Sequence, residues 1–207
     1  IVAGLSERNF YGTGRSLNAL INTSDKKNEF TLNTSDRLFY ENNVDISYKA
    51  NYKELDYSSS SSYNLNSLST GVSLSYDYNS KIRHSIGLDY LLKDYEITNR
   101  STVSSSIAAT EGGNASFLLT NNLYFSTLNS IYRPKDGQMI NFTNFLETPS
   151  SSSNGYIKNI LTIKNYKSIG KNIISNQTRF GNILSLSNND ILTDDKFSLG
   201  GKWLRGF

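Results

Sequence analysis

Apolar and polar residues alternate with a period of two along most of this chain. Val44, Ile46, Tyr48, Ala50 and Tyr52 fall on one parity, and Asp45, Ser47, Lys49, Asn51 and Lys53 on the other. Val72, Leu74, Tyr76 and Tyr78 alternate with Ser73, Ser75 and Asp77. Ile82, Ile86, Leu88, Tyr90 and Leu92 oppose Arg83, Ser85, Gly87 and Asp89. An extended backbone sends successive side chains to opposite faces, so the pattern predicts three strands with one apolar and one polar side. Weaker alternation runs over 17–21, 30–34, 117–125, 140–146, 157–163 and 174–180. With an opening strand over 1–7, the chain reads as a meander of about ten consecutive strands.

The connections alternate in kind. Short, turn-forming sequences occupy 10–14, 41–43, 79–81 and 133–137, while longer polar stretches occupy 56–67, 94–115, 149–155 and 187–207. Gly12 and Gly14 form the first turn, and Pro134, Asp136 and Gly137 the last, because glycine reaches positive φ freely and proline presets its own. Short turns at one end and long loops at the other are the layout of a transmembrane β-barrel, with the turns at the periplasmic rim. Lipid would take the apolar face, and a wet lumen would take Asp45, Lys49, Lys53, Arg83 and Asp89. A soluble β-sandwich alternates too, since one of its faces is buried. Segments of about nine to eleven residues suit a tilted membrane strand better than the five or six common in soluble sheets. Tyr40, Tyr52, Tyr78, Tyr90, Tyr132, Tyr156 and Tyr166 near strand ends fit an interfacial girdle. The fold class expected is therefore all-β, an antiparallel meander forming part of a barrel.

Composition narrows the chemistry. Only 37% of residues are hydrophobic while 12% are aromatic, which suits strands with a single greasy face. The net charge of +3 comes from 21 basic and 18 acidic residues mixed throughout, so no basic patch points to nucleic acid. The absence of cysteine excludes disulfides, zinc-thiolate sites and thiol catalysis. No apolar run is long enough for a membrane helix. His84, the single histidine, falls on the apolar face beside Ile82 and Ile86, without a Ser or Asp constellation to make it a general base. Gly12-Thr13-Gly14-Arg15-Ser16 lacks the lysine and the helix of a phosphate loop. Asp190, Asp194 and Asp195 do not have the spacing of a calcium loop. The reading is of a non-enzyme with no cofactor and no metal.

The chain ends on Phe197-Ser198-Leu199-Gly200-Gly201-Lys202-Trp203-Leu204-Arg205-Gly206-Phe207. A glycine pair, a short spacer and an arginine between apolar neighbours suit a loop that folds into a cavity and pairs its guanidinium there. A buried guanidinium needs an acceptor, so this reading requires one inside the barrel. Three stretches together resemble the BamA-type outer-membrane assembly factors of the BamA/TamA superfamily. They are the Asn9-Phe10-Tyr11-Gly12-Thr13-Gly14 turn with its flanking strands, the Tyr132-Arg133-Pro134-Lys135-Asp136-Gly137 turn, and the terminal Gly200, Gly201 and Leu204-Arg205-Gly206-Phe207.

The resemblance implies strands two through eleven of a sixteen-strand barrel, closing with the sixth extracellular loop. Upstream repeats, the first strand and the last five strands would lie outside the chain, and the opening Ile-Val-Ala-Gly-Leu is expected to continue from an earlier segment. It further implies residence in the bacterial outer membrane, contact with lipid, and folding and insertion of client outer-membrane β-barrel proteins with accessory assembly lipoproteins. Arg205, Gly206 and Phe207 would brace the lumen, with Gly200 and Gly201 shaping the loop. A TamA-like factor or a two-partner secretion transporter shares that loop. A passive porin, from a different class, does not need it, and neither does a soluble adhesive β-sandwich.

Overall fold

The structure, a computed structural model, describes residues 1–37, 44–149, 155–187, 191–192 and 195–197. Ten strands follow one another: β1 (Val2–Glu7), β2 (Ser16–Ser24), β3 (Lys27–Asp36), β4 (Val44–Asp56), β5 (Tyr63–Asn79), β6 (Ile82–Ile97), β7 (Gly112–Ser126), β8 (Gly137–Glu147), β9 (Tyr156–Ile169) and β10 (Asn172–Ser185). Two four-residue helices, α1 (Ser58–Ser61) and α2 (Ser105–Ala108), sit in the loops before β5 and β7. The strands form one antiparallel sheet in the order β1 to β10, as the alternation predicts, and the sheet is open between β1 and β10.

Several strands outrun their apolar alternation. β5 begins at Tyr63 and β6 runs to Ile97, pairing Tyr63 with Ile97 and Leu65 with Tyr95. The loops expected over 56–67 and 94–115 shrink accordingly. The cause is a change of parity: along the middle of β5 apolar residues take even positions, whereas Tyr63 and Leu65 take odd ones. The strand continues while its greasy residues move to the other face.

The two faces invert the rule of soluble proteins. Leu74 and Ile86 are each 48% exposed, yet Asp89 is 3% and Glu147 is 1% exposed. Exposed apolar residues over buried polar ones are the informative arrangement, and it excludes a sheet-on-sheet core. The polar face is the concave one, because its side chains reach across intervening strands. Arg83 on β6 pairs with Asp77 on β5 at 3.1 Å and with Asp45 on β4 at 2.6 Å. Lys49 on β4 pairs with Asp89 on β6 at 2.8 Å, and Lys53 with Glu29 at 3.4 Å. The charges expected in the lumen are thus all on the inner face and paired. Tyr52, Tyr78 and Tyr90 are exposed on the convex face, but Tyr156 shares the inner parity with Glu147 and is buried. Its place in a girdle is corrected by that register. Tyr40 lies outside the described residues.

On the convex face the strands align residues into rows. One row reads Tyr48, Val72, Leu88, Leu119, Leu146, Ile157 and Leu184 across β4 to β10. The row beside it changes character: after Leu74 and Ile86 come Asn121, Asn144, Asn159 and Asn182. Asn144 Nδ2 donates to Asn159 Oδ1 at 2.7 Å, and His84 Nε2 lies 2.6 Å from Asn121 Oδ1. Pairing makes amides tolerable on an apolar belt. Asn144→Leu alone, which strands the Asn159 carbonyl, should therefore destabilise by about 1 kcal/mol, whereas Asn144→Leu with Asn159→Leu should match or exceed wild type. Urea titration of the protein refolded into lipid vesicles would decide it.

Candidate functional site

Near the mouth where the long loops gather, apolar residues cluster on the inner parity of β5 and β6. There Tyr63 and Leu65 from β5, Tyr95 from β6, Ile107 from α2 and Leu192 from the segment after β10 form a buried cluster. Leu55, Tyr57 and Val103 pack against it, with ring centroids 5.0 Å apart for Tyr57–Tyr63 and 6.0 Å for Tyr63–Tyr95. Local chemistry holds the loops over it. Asp56 Oδ1 accepts the Ser58 N–H at 2.8 Å, which starts α1, and Ser62 closes it at φ 61°. The Ser62 and Thr102 hydroxyls share a hydrogen bond of 2.6 Å, and Ser104 caps α2 by accepting the Ile107 N–H. The serine run is therefore an ordered corner rather than a tether.

A polar floor adjoins this cluster. Lys93 on β6 donates to both carboxylate oxygens of Asp195 at 3.0 and 3.1 Å. Lys158 on β9 donates to the Asp195 backbone carbonyl at 2.7 Å, and the Tyr156 hydroxyl reaches Oδ1 at 3.4 Å. Ser116 on β7 donates to the buried Glu147 carboxylate at 2.8 Å. Two residues on, the Phe197 ring lies beneath the Lys158 ammonium, 4.6 Å from Nζ to the ring centroid. Strands β5, β6 and β9 thus contribute to a seat for the segment that follows β10. Asp195 is held by two lysines and not by a metal-binding loop, and Asp190 and Asp194 lie outside the described residues. Among the described residues no cluster of acidic, His or Cys groups could hold a metal.

Gly200, Gly201, Arg205, Gly206 and Phe207 lie outside the described residues, so the structure places the root of their loop and not its tip. The turn residues gather at the opposite rim. Gly12 and Gly14 sit at φ 72° and 76° in the β1–β2 turn, where Asn9 Oδ1 accepts the Gly14 N–H at 2.7 Å. Before β8, Asn129 Oδ1 accepts from the Lys135 and Asp136 N–H groups at 3.0 and 3.2 Å. Asp136 Oδ1 accepts from Ser168 N–H at 3.1 Å, tying the turn to β9. Gly137 sits at φ 108°, and a Cβ there would fall 2.4 Å from the Thr127 carbonyl. The pairing of Lys93 and Lys158 with Asp195, and the burial of Glu147, have no signature in the sequence. Only their inner parity marked the strand residues, and nothing local marked Asp195.

A sheet with a wet, ion-paired concave face and a dry, exposed convex one is the wall of a β-barrel membrane protein. The chain belongs to the Omp85 superfamily: residues 9–207 match the Omp85 superfamily domain. Among solved structures it is similar to BamA from Haemophilus ducreyi lacking POTRA domains 1–3. That likeness has a TM-score of 0.82 at 19% sequence identity over 97% of this chain. The chain spans 41% of the length of that BamA chain. No curated protein matches it by sequence.

Proposed function

We propose that this chain is the central wall and loop root of a bacterial outer-membrane assembly factor that folds and inserts client β-barrel proteins. Its membership of the Omp85 superfamily carries the reading, and the Gly200-Gly201 and Arg205-Gly206-Phe207 signature supports it. No bond is made or broken in such a reaction. A client strand is templated through main-chain hydrogen bonds at an exposed sheet edge. The sixth loop folds back into the lumen, where Arg205 pairs with an acidic group through its planar fork and Phe207 keeps water away. The wall described here would hold that loop in place while its convex face anchors in lipid. Accessory lipoproteins and client barrels are the partners this implies. The rim bearing Gly12, Gly14, Pro134, Asp136 and Gly137 would face the periplasm.

The test is growth and outer-membrane porin content in cells that depend on the full-length protein. Arg205→Ala should lower many client barrels together, and Arg205→Lys should restore only part, because a point charge does not reproduce the bidentate fork. Loss of a single secreted protein with normal porins would favour a two-partner secretion transporter. Wild-type behaviour of Arg205→Ala would remove the brace. Orientation has its own check. In intact cells a maleimide should modify Ser104→Cys, beside α2, and spare Lys135→Cys in the opposite turn; the reverse result inverts the barrel.

A further inference from the structure

We infer that Lys93, Lys158 and Gly181 are positioning residues that seat the terminal loop on the lumenal wall, so that its entry into the barrel is directed by the first ten strands rather than by its tip alone. The inference rests on the assembly reading for its consequence but on geometry for its content.

Asp195 is held from two sides, by Lys93 at its carboxylate and by Lys158 at its backbone carbonyl. The Lys93 and Asp195 side chains are only 15% and 11% exposed. A charge pair withdrawn that far from water is costly to break from one side, since the remaining ion keeps its burial and loses its partner. Contact with the backbone carbonyl fixes the path of the chain as well as one side chain. Phe197 then turns onto β10 at Gly181. A Cβ at Gly181 would lie 2.6 Å from the Phe197 ring. Strand glycines weaken a sheet, and one kept beneath an aromatic ring marks a close approach. Leu192, 6% exposed, plugs the apolar cluster on the near side of Asp195. The segment is therefore tied at three successive points, apolar at 192, ionic at 195 and aromatic at 197, each to a different part of the wall. From Phe197 the chain has eight residues to reach Arg205, few enough that the direction of the root limits where the guanidinium can go.

The experiment uses the full-length protein in outer-membrane vesicles, with Leu192→Cys as reporter. These 207 residues contain no cysteine, so labelling within them reads that site alone. In the seated loop Leu192→Cys should react slowly with a water-soluble maleimide. Asp195→Lys, a change in the loop that places a third cation between Lys93 and Lys158, should raise the rate about tenfold or more by opening the segment. Asp195→Glu should keep the slow rate. Gly181→Val should accelerate labelling with Phe197 present and have little effect in a Phe197→Ala background. Unchanged protection in Asp195→Lys would overturn the seat, as would equal effects of Gly181→Val in both backgrounds. Client-porin levels in the same strains separate the two readings. Fast labelling with normal porins keeps the seat and removes its assembly role.

Discussion

Arginine in place of Leu88 is expected to cost about 2–4 kcal/mol in a lipid bilayer, the penalty for a cation on the lipid face near the midplane. Leu88 lies in the middle of β6 between Val72 and Leu119 on the convex face, and all three are exposed to whatever surrounds the barrel. In water such exposure would be unremarkable and the substitution nearly silent. In hydrocarbon the guanidinium has no acceptor within the row, because its neighbours there are Val72 and Leu119. Snorkelling toward an interface recovers only part of the loss. Ser73 provides the comparison. It sits on β5 one residue from Val72 but points to the wet face, where Lys49 and Asp89 already pair. Ser73→Arg should shift stability by less than about 1 kcal/mol. Urea midpoints in phosphatidylcholine vesicles, read by heat-modifiable gel mobility, give both values. Equal costs at the two positions would show that the convex face does not meet lipid.

How much of this was legible in the sequence follows from what alternation can encode. The middle of β4, β5 and β6 has lipid on one side and water on the other, so parity alone sorts their residues. Near the loop-bearing mouth the inner face is covered by α2 and by the segment after β10. Apolar residues there move inward, and Tyr63, Leu65 and Tyr95 lose the pattern that marks a strand. In β7 to β10 the convex face carries a row of asparagines, which dilutes the alternation just where the reading was weakest. The turns were readable because Gly137 and the Gly12–Gly14 pair perform a backbone task that few other residues can. The seat of the terminal loop was not, since it joins Lys93 to Asp195 across about a hundred positions and neither residue carries a local signal. The tip itself was legible only as a signature.

The same distance-blindness hides the role of Gly71, and its substitution should be far more damaging than that of an ordinary strand glycine. Lys49, Gly71 and Asp89 face one another in register across β4, β5 and β6. The lysine ammonium reaches Asp89 Oδ2 at 2.8 Å by passing over the glycine. A Cβ at position 71 would lie 1.8 Å from Asp89 Oδ1 and 2.7 Å from the Leu88 carbonyl. The carbonyl belongs to the sheet and cannot move, so Asp89 must turn aside. It is 3% exposed, and turning away from Lys49 leaves a buried carboxylate without its cation. Stranding a buried charged acceptor costs about 1–3 kcal/mol or more, and Gly71→Ala should lose at least that. Gly87 shows that the effect is not general to strand glycines. It lies on the same inner face one strand away, and a Cβ there would meet Ser73 Cβ at 3.3 Å, a tight contact that a shift of a few tenths of an ångström relieves, with no backbone atom closer. Alanine loses less backbone entropy in a strand, by roughly 0.5–1 kcal/mol, which offsets the cost of that contact, so Gly87→Ala should stay close to neutral. The two alanines should therefore differ clearly in cost. A cycle with Asp89→Ala separates the causes: removing the carboxylate leaves only the Leu88 carbonyl contact, so Gly71→Ala should cost clearly less in that background. A Gly71→Ala loss undiminished without Asp89 would trace the cost to the Leu88 carbonyl and leave the ion pair out of it.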